Sequence, residues 1–98
     1  MISSLKIGAF TFAVVFPQVV TKDGESMDGH LWHSQTTIEI DNNLAAQPKV
    51  QTLLHEIIHE IGIQAGQEMT EGMVDSIAFG IYQVMRDNPE LVRMITKG

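Results

Sequence analysis

The chain has no cysteine. That excludes disulfide staples and every thiolate metal site, so any zinc it binds must be held by histidine and carboxylate. Basic residues are scarce as well: six Lys and Arg stand against twelve Asp and Glu, for a net charge of −6. The six are scattered, whereas phosphate contacts need clustered cations, so no nucleic-acid partner is expected. Long apolar runs are missing too. No stretch approaches the roughly 20 apolar residues of a membrane-crossing helix, and no membrane partner is expected. One segment imitates a targeting signal, the run Ile7 to Phe16 behind Lys6. Gly8 and Thr11 interrupt it and Phe16-Pro17-Gln18 makes a poor cleavage site, so it reads as a strand of a cytoplasmic protein.

What is present is a globular composition, 44% apolar and 18% charged over 98 residues. This fits one domain spanning 1–98, without repeats or low-complexity tracts. A core of that size gives only moderate stability, to which a bound metal would add.

The first half reads as short strands. Leu5-Lys6-Ile7 and Phe10 to Phe16 flank a turn at Gly8-Ala9, and Pro17 ends the second run. Val19 to Gly29 holds Thr21-Lys22-Asp23-Gly24 and Asp28-Gly29, both turn-forming, and is expected to be a loop. Gly29 to His33 and Thr36 to Asp41 then form two strands around Ser34-Gln35, with Ile38 and Ile40 alternating with polar neighbours. The second half is helical. From about Pro48 an apolar stripe runs through Val50, Leu53, Leu54, Ile57, Ile58 and Ile61, with Gly62 and Gly66 as stops. A second helix starts near Thr70, a good N-cap, and turns Met73, Val74, Ile77, Ala78, Ile81, Val84 and Met85 inward. Asn88-Pro89-Glu90 ends it and opens a third helix through Leu91, Val92, Met94 and Ile95. Strands followed by helices, without alternation, indicate an α+β domain with a small antiparallel or mixed sheet.

Inside the first helix stands His55-Glu56-Ile57-Ile58-His59. Residues four apart share a helical face, so both imidazoles can reach one ion at about 2.0–2.1 Å. Glu56 is too close in sequence to ligate easily beside His55, but well placed to take a proton from a water in the metal's open position. The bland alternative is an amphipathic helix whose His and Glu face water. The mid-helix position behind a strand hairpin favours zinc.

A catalytic zinc needs a third protein ligand. The extended metzincin pattern would put Gly at position 62 and His at position 65; Gly62 is there, but Ala65 is not a ligand. The remaining histidines, His30 and His33, lie on the hairpin before the motif. Glu71 is the better candidate, at the start of the second helix, and reaches the ion if the two helices pack antiparallel through Gly62 to Met69. It can instead serve only the helix dipole. Glu60 and Glu68 are alternatives, although Glu60 points off the His55–His59 face and Glu68 sits in the turn. Asp75, one turn beyond Glu71, can accept a hydrogen bond from a ligand imidazole.

His55-Glu56-x-x-His59 followed by Glu71-x-x-x-Asp75 resembles the gluzincin arrangement of thermolysin-like proteases. The resemblance implies a minimal zincin fold, with an active-site helix and a glutamate helix, Glu71 as third ligand and Asp75 steadying His55. His30-Leu31-Trp32-His33-Ser34-Gln35 is similar to the edge strand and turn that line the cleft in those enzymes and pair with substrate backbone. The chain as a whole resembles small phage-encoded proteins regarded as metallopeptidases, down to Tyr82-Gln83-Val84-Met85-Arg86-Asp87-Asn88-Pro89-Glu90-Leu91. More distantly it is similar to the ImmA/IrrE peptidases that cleave repressors. The large C-terminal domain of thermolysin, which supplies a histidine to the oxyanion, has no counterpart here. His30, His33 and Tyr82 are the substitutes to consider, and Trp32 can line a specificity pocket. Three functions follow: a Zn2+-dependent peptidase acting on a peptide or protein substrate, with Glu56 assisting attack by a zinc-activated water; a zinc-stabilised binding module without proteolysis; and a single-target protease acting on a repressor.

Overall fold

The computed structural model describes residues 2–98. Six short strands come first: β1 (Ser4–Ile7), β2 (Phe10–Val15), β3 (Val20–Lys22), β4 (Glu25–Met27), β5 (Gly29–Trp32) and β6 (Thr37–Ile40). Three helices follow: α1 (Ala46–Ala65), α2 (Glu71–Asp87) and α3 (Pro89–Lys97). The result is an α+β architecture with a mixed sheet of order β1-β2-β6-β5 and a separate β3–β4 ribbon.

Alternation sets the faces of the sheet. Ile7, Phe12, Ile38 and Ile40 are buried together, and Leu5, Leu31, Leu53 and Ile57 pack against them. The register pairs Leu31 with Ile38 and His30 with Glu39, so His30, Trp32, Thr37 and Glu39 share the opposite face. Trp32 is therefore neither core nor pocket lining. Its indole N–H donates to Glu39 Oε1 at 2.7 Å, and its ring meets His30 edge-on at 4.4 Å.

β6 pairs with β2 in parallel and with β5 antiparallel, which leaves β5 at the sheet edge. Asp41 N–H donates to Asp28 C=O at 2.7 Å. Antiparallel pairing alternates, so the same register leaves the backbone groups of Gly29 and Leu31 facing the free edge. β5 stops at Trp32, one residue short of the sequence expectation. His33 opens a four-residue turn that closes with Thr36 N–H donating to His33 C=O at 3.1 Å.

The expected loop between Val19 and Gly29 is instead a hairpin. Asp23 and Gly24 both adopt positive φ, 53° and 81°. This is the two-residue turn whose twist matches that of the flanking strands. The ribbon stands beyond the edge of β5 and becomes a wall of the cleft described below.

α1 has no side-chain N-cap at Ala45. Pro48 sits in its first turn, where a missing N–H costs nothing. The helix continues through Gly62 and ends at Gly66, whose φ of 68° allows the Gly66 and Gln67 amides to bond back to Ile63 and Gly62 carbonyls. Leu53 and Ile57 face the sheet, while Leu54 and Ile58 face Val74 and Ala78 of α2. Two members of the expected apolar stripe, Val50 and Ile61, are exposed, because they fall on the side of α1 that neither layer covers. Thr70 caps α2 as expected, accepting from Met73 N–H at 3.1 Å.

The expectation of a fully inward α2 face fails. Only Val74 and Ala78 are buried, while Met73, Ile77, Ile81, Val84 and Met85 are exposed. On α3, Leu91, Met94 and Ile95 are exposed as well. α1 covers only the first turns of α2, and no other layer lies over the rest.

Gly29 is where β5 meets α1. A Cβ there would lie 2.6 Å from Thr52 Cγ2 and 2.9 Å from the Glu39 carbonyl oxygen, and neither a branched side chain nor a strand backbone yields cheaply. Gly29→Ala is expected to lower unfolding free energy by about 1–3 kcal/mol in a denaturant titration. A wild-type midpoint would show that β5 does not approach α1 this closely.

Candidate metal centre

The short reversal from Gly66 to Thr70 lays the first turn of α2 against the cleft side of α1. Met69 lies against Gly62 in this return, its Cε 2.5 Å from where a Cβ would stand. The consequence is a convergence of three donor atoms. His55 Nε2 lies 3.1 Å from His59 Nε2 and 3.0 Å from Glu71 Oε2, and His59 Nε2 lies 2.9 Å from Glu71 Oε1. Among the described residues, His55, His59 and Glu71 form the one group of three that could hold a metal ion.

The donor set fits zinc. Tetrahedral ligands at about 2.0–2.1 Å from an ion stand about 3.3 Å apart, and here the two imidazole nitrogens are 3.1 Å apart with a Glu71 oxygen 2.9–3.0 Å from each. Protonation fits as well. Asp75 Oδ1 is 2.8 Å from His55 Nδ1, and a carboxylate can only accept, so that nitrogen carries the proton. With an ion bound, this partner would keep the His55 proton on Nδ1 and leave Nε2 for the metal. The imidazoles are half-buried and the Glu71 side chain is 74% exposed, so the centre opens to solvent on the α2 side.

Glu56 is placed differently. It is only 7% exposed, on the flank of α1 that faces β5. Burial pushes its carboxyl up to about 7, against the opposing pull of His55 and with further upward pressure from Glu71. The Leu31 backbone N–H, one of the free-edge groups of β5, bonds to the carboxylate and favours its charged form. A carboxyl with this poise, beside a cluster that could hold a metal ion, suits proton transfer near neutral pH.

Two hollows meet at these residues. One, of about 310 Å³, runs along the β5 edge between Lys22 and Met27 of the ribbon and His55, Glu56, His59 and Glu71. The other, of about 490 Å³, lies on the far side of His55 and is bordered by Met27, Thr52, Asp75 and Phe79. Neither the ribbon wall nor Phe79 was expected from sequence. The Asp23-Gly24 pair between Val20-Thr21-Lys22 and Glu25-Ser26-Met27 was the available signal for the ribbon.

The remaining sequence candidates lie elsewhere. Glu60 is fully buried on the sheet side of α1. Its Oε1 receives His33 Nδ1 at 2.7 Å and its Oε2 accepts from Gln64 Nε2 at 2.8 Å. His33, proposed from sequence for the oxyanion, is thus paired with Glu60 rather than brought to the triad. Tyr82 accepts from Arg86 at 2.8 Å on the outer part of α2 and lines neither hollow. His30 borders the smaller hollow, but its ring packs on Trp32. Burial, and then the positive charge of Lys22, hold its pKa below the usual histidine value. Glu68 is exposed in the turn between the helices.

Replacing His55 or His59 with Ala, or Glu71 with Gln, is expected to abolish stoichiometric zinc uptake. Asp75→Ala should weaken affinity by about 10–100-fold in a competitive chelator titration. Zinc at about a hundred times its dissociation constant should stabilise the chain by about 2.7 kcal/mol, raising Tm by about 10–20 °C. Unchanged zinc affinity in Glu71→Gln would remove that residue from the centre.

No protein-family model, curated protein or solved structure matches the chain, so its chemistry rests on its own residues.

Proposed function

We propose that this protein is a zinc-dependent peptidase of minimal zincin type, with His55, His59 and Glu71 as metal ligands and Glu56 as general base. The observation that carries the reading is the buried Glu56 carboxyl set beside the His55, His59 and Glu71 cluster able to bind a metal. A structural zinc has no use for such a group and usually closes all four positions with protein ligands.

A bound zinc would supply Lewis-acid chemistry, polarising a carbonyl and acidifying a water. The chain's own residues would do the rest. Glu56 accepts a proton from the attacking water on a carboxylate oxygen and passes it to the leaving amide nitrogen. The Leu31 N–H holds that carboxylate in place. Asp75 keeps the His55 proton on Nδ1, so that Nε2 remains a ligand. An extended peptide would lie along the free edge of β5, where the backbone groups of Gly29 and Leu31 face outward. The Leu31 N–H is already turned toward Glu56, so the Leu31 carbonyl and the Gly29 backbone groups are left for such a peptide.

A zinc-stabilised binding module without proteolysis is the second reading, and it asks less of the site. The ligand cluster alone suffices for it. It is favoured by the sparse packing of α2, which buries only Val74 and Ala78, so that an ion bridging α1 and α2 would add directly to folding.

Hydrolysis of a peptide library by the zinc-loaded protein separates the two. The peptidase reading expects cleavage that Glu56→Gln lowers by about 10²–10⁴-fold while zinc content stays near one per chain. A wild-type protein that holds zinc stoichiometrically and cleaves nothing in the library would leave the binding module.

A further inference from the structure

We infer that the outer part of α2 and the whole of α3 form the interface of a twofold dimer with a second copy of this chain. The inference is independent of the catalytic reading. It starts from helix arithmetic. Ile77, Ile81 and Val84 lie along one flank of α2 and are exposed. Leu91, Met94 and Ile95 occupy one side of α3, with Glu90, Arg93 and Lys97 on the other. A short helix divided this sharply has little reason to hold its shape in water without a surface for its apolar side. Met94 is 71% and Ile95 66% exposed. Val84, Leu91 and Met94 converge on a hollow of about 570 Å³ at the bend between the helices, which gives the flank a shape as well as a polarity.

Area argues for a second copy. The chain exposes 6468 Å², about 900 Å² more than the roughly 5,600 Å² of a compact monomer of 10.9 kDa. A stable interface buries about 800 Å² on each partner, so the surplus is what one such contact removes. The radius of gyration of 13.7 Å is also above the roughly 12.6 Å expected for this length, as protruding helices require.

Charge permits self-association here and opposes it elsewhere. Residues 76–98 hold three basic and two acidic side chains, whereas residues 1–75 hold three basic and ten acidic. Two copies meeting through α2 and α3 keep their acidic halves apart. A twofold arrangement is self-complementary, with α3 of each copy seated at the α2–α3 bend of the other. Glu71 and Asp75 leave α2 on roughly the opposite side from Ile77 and Val84, so the metal centre stays open in the dimer.

Sedimentation velocity of the full chain tests this. The wild type is expected at twice 10.9 kDa. A Met94→Glu, Ile95→Lys double variant is expected to raise the dimer dissociation constant at least about tenfold, with an unchanged circular dichroism spectrum and zinc content. Both positions are already exposed, so the fold tolerates the change. Val19→Lys, an exposed position outside α2 and α3, is expected to remain dimeric. A monomeric wild type overturns the inference, and so does a dimer that the double variant leaves intact or that Val19→Lys dissociates. Flotation with phosphatidylserine vesicles completes the test: a monomeric wild type that floats would assign the face to a membrane surface instead.

Discussion

The gathering of three side chains, His55, His59 and Glu71, with nitrogen and oxygen atoms 2.9–3.1 Å apart, depends on one reversal of the chain. His55 and His59 share a face of α1 by helical geometry alone, but Glu71 comes from another helix. It arrives because α1 ends in a left-handed glycine, the chain turns within a few residues, and Thr70 caps α2 one position before the glutamate. Gly62 leaves room for Met69 beneath that turn. Lengthening the turn would move the carboxylate while leaving the histidines unaffected. With Asp75 on the same face of α2, this reversal brings both Glu71 and the carboxylate beside His55 Nδ1 to the cluster.

Two buried glutamates one turn apart on α1 show how neighbouring positions acquire different chemistry. Glu60 faces the sheet, where His33 and Gln64 engage its two oxygens. Gln64 in turn donates to the Ile7 carbonyl at 2.7 Å and accepts from the Ala9 amide at 3.1 Å. That network ties the β1–β2 turn and the end of β5 to the last turns of α1. A buried carboxylate is tolerable only when its lone pairs are met in this way. Glu56 faces the gap between β5 and α2, with the Leu31 amide, His55 and Glu71 for company, and its carboxyl rises to about 7. One glutamate fastens the frame and the other is left poised within it.

The same economy leaves the helices underpacked. The sheet takes one side of α1 and the first turns of α2 take the other, which uses up the apolar surface that a chain of 98 residues can cover. An ion shared by α1 and α2 would cross-link two elements whose apolar contact is small. Beyond Ala78 no residue of α2 is buried, and α3 adds a further apolar flank rather than a lid.

Much of this was legible in the sequence where the pattern is local. The four-residue spacing of His55 and His59, the Thr70 cap, the alternation at Ile38 and Ile40 and the Gly8-Ala9 turn follow from periodicity and backbone preference, and all appear where expected. The Asp23-Gly24 hairpin was equally local, but its short polar strands were outweighed by turn-forming neighbours. Tertiary structure decided the rest, because distance between elements is not written in any window of sequence. An apolar stripe states that a helix face seeks cover, not whether the fold supplies it, so Val74 and Ile77 read alike and only one is buried. A histidine on a strand is equally suited to an oxyanion or to a buried carboxylate, and the meeting of β5 with α1 gave His33 to Glu60. The sequence by itself determined which side chains could bind a metal. Packing determined that Glu71, rather than Glu60 or Glu68, completes the cluster, since only its helix returns to the face that the two imidazoles share.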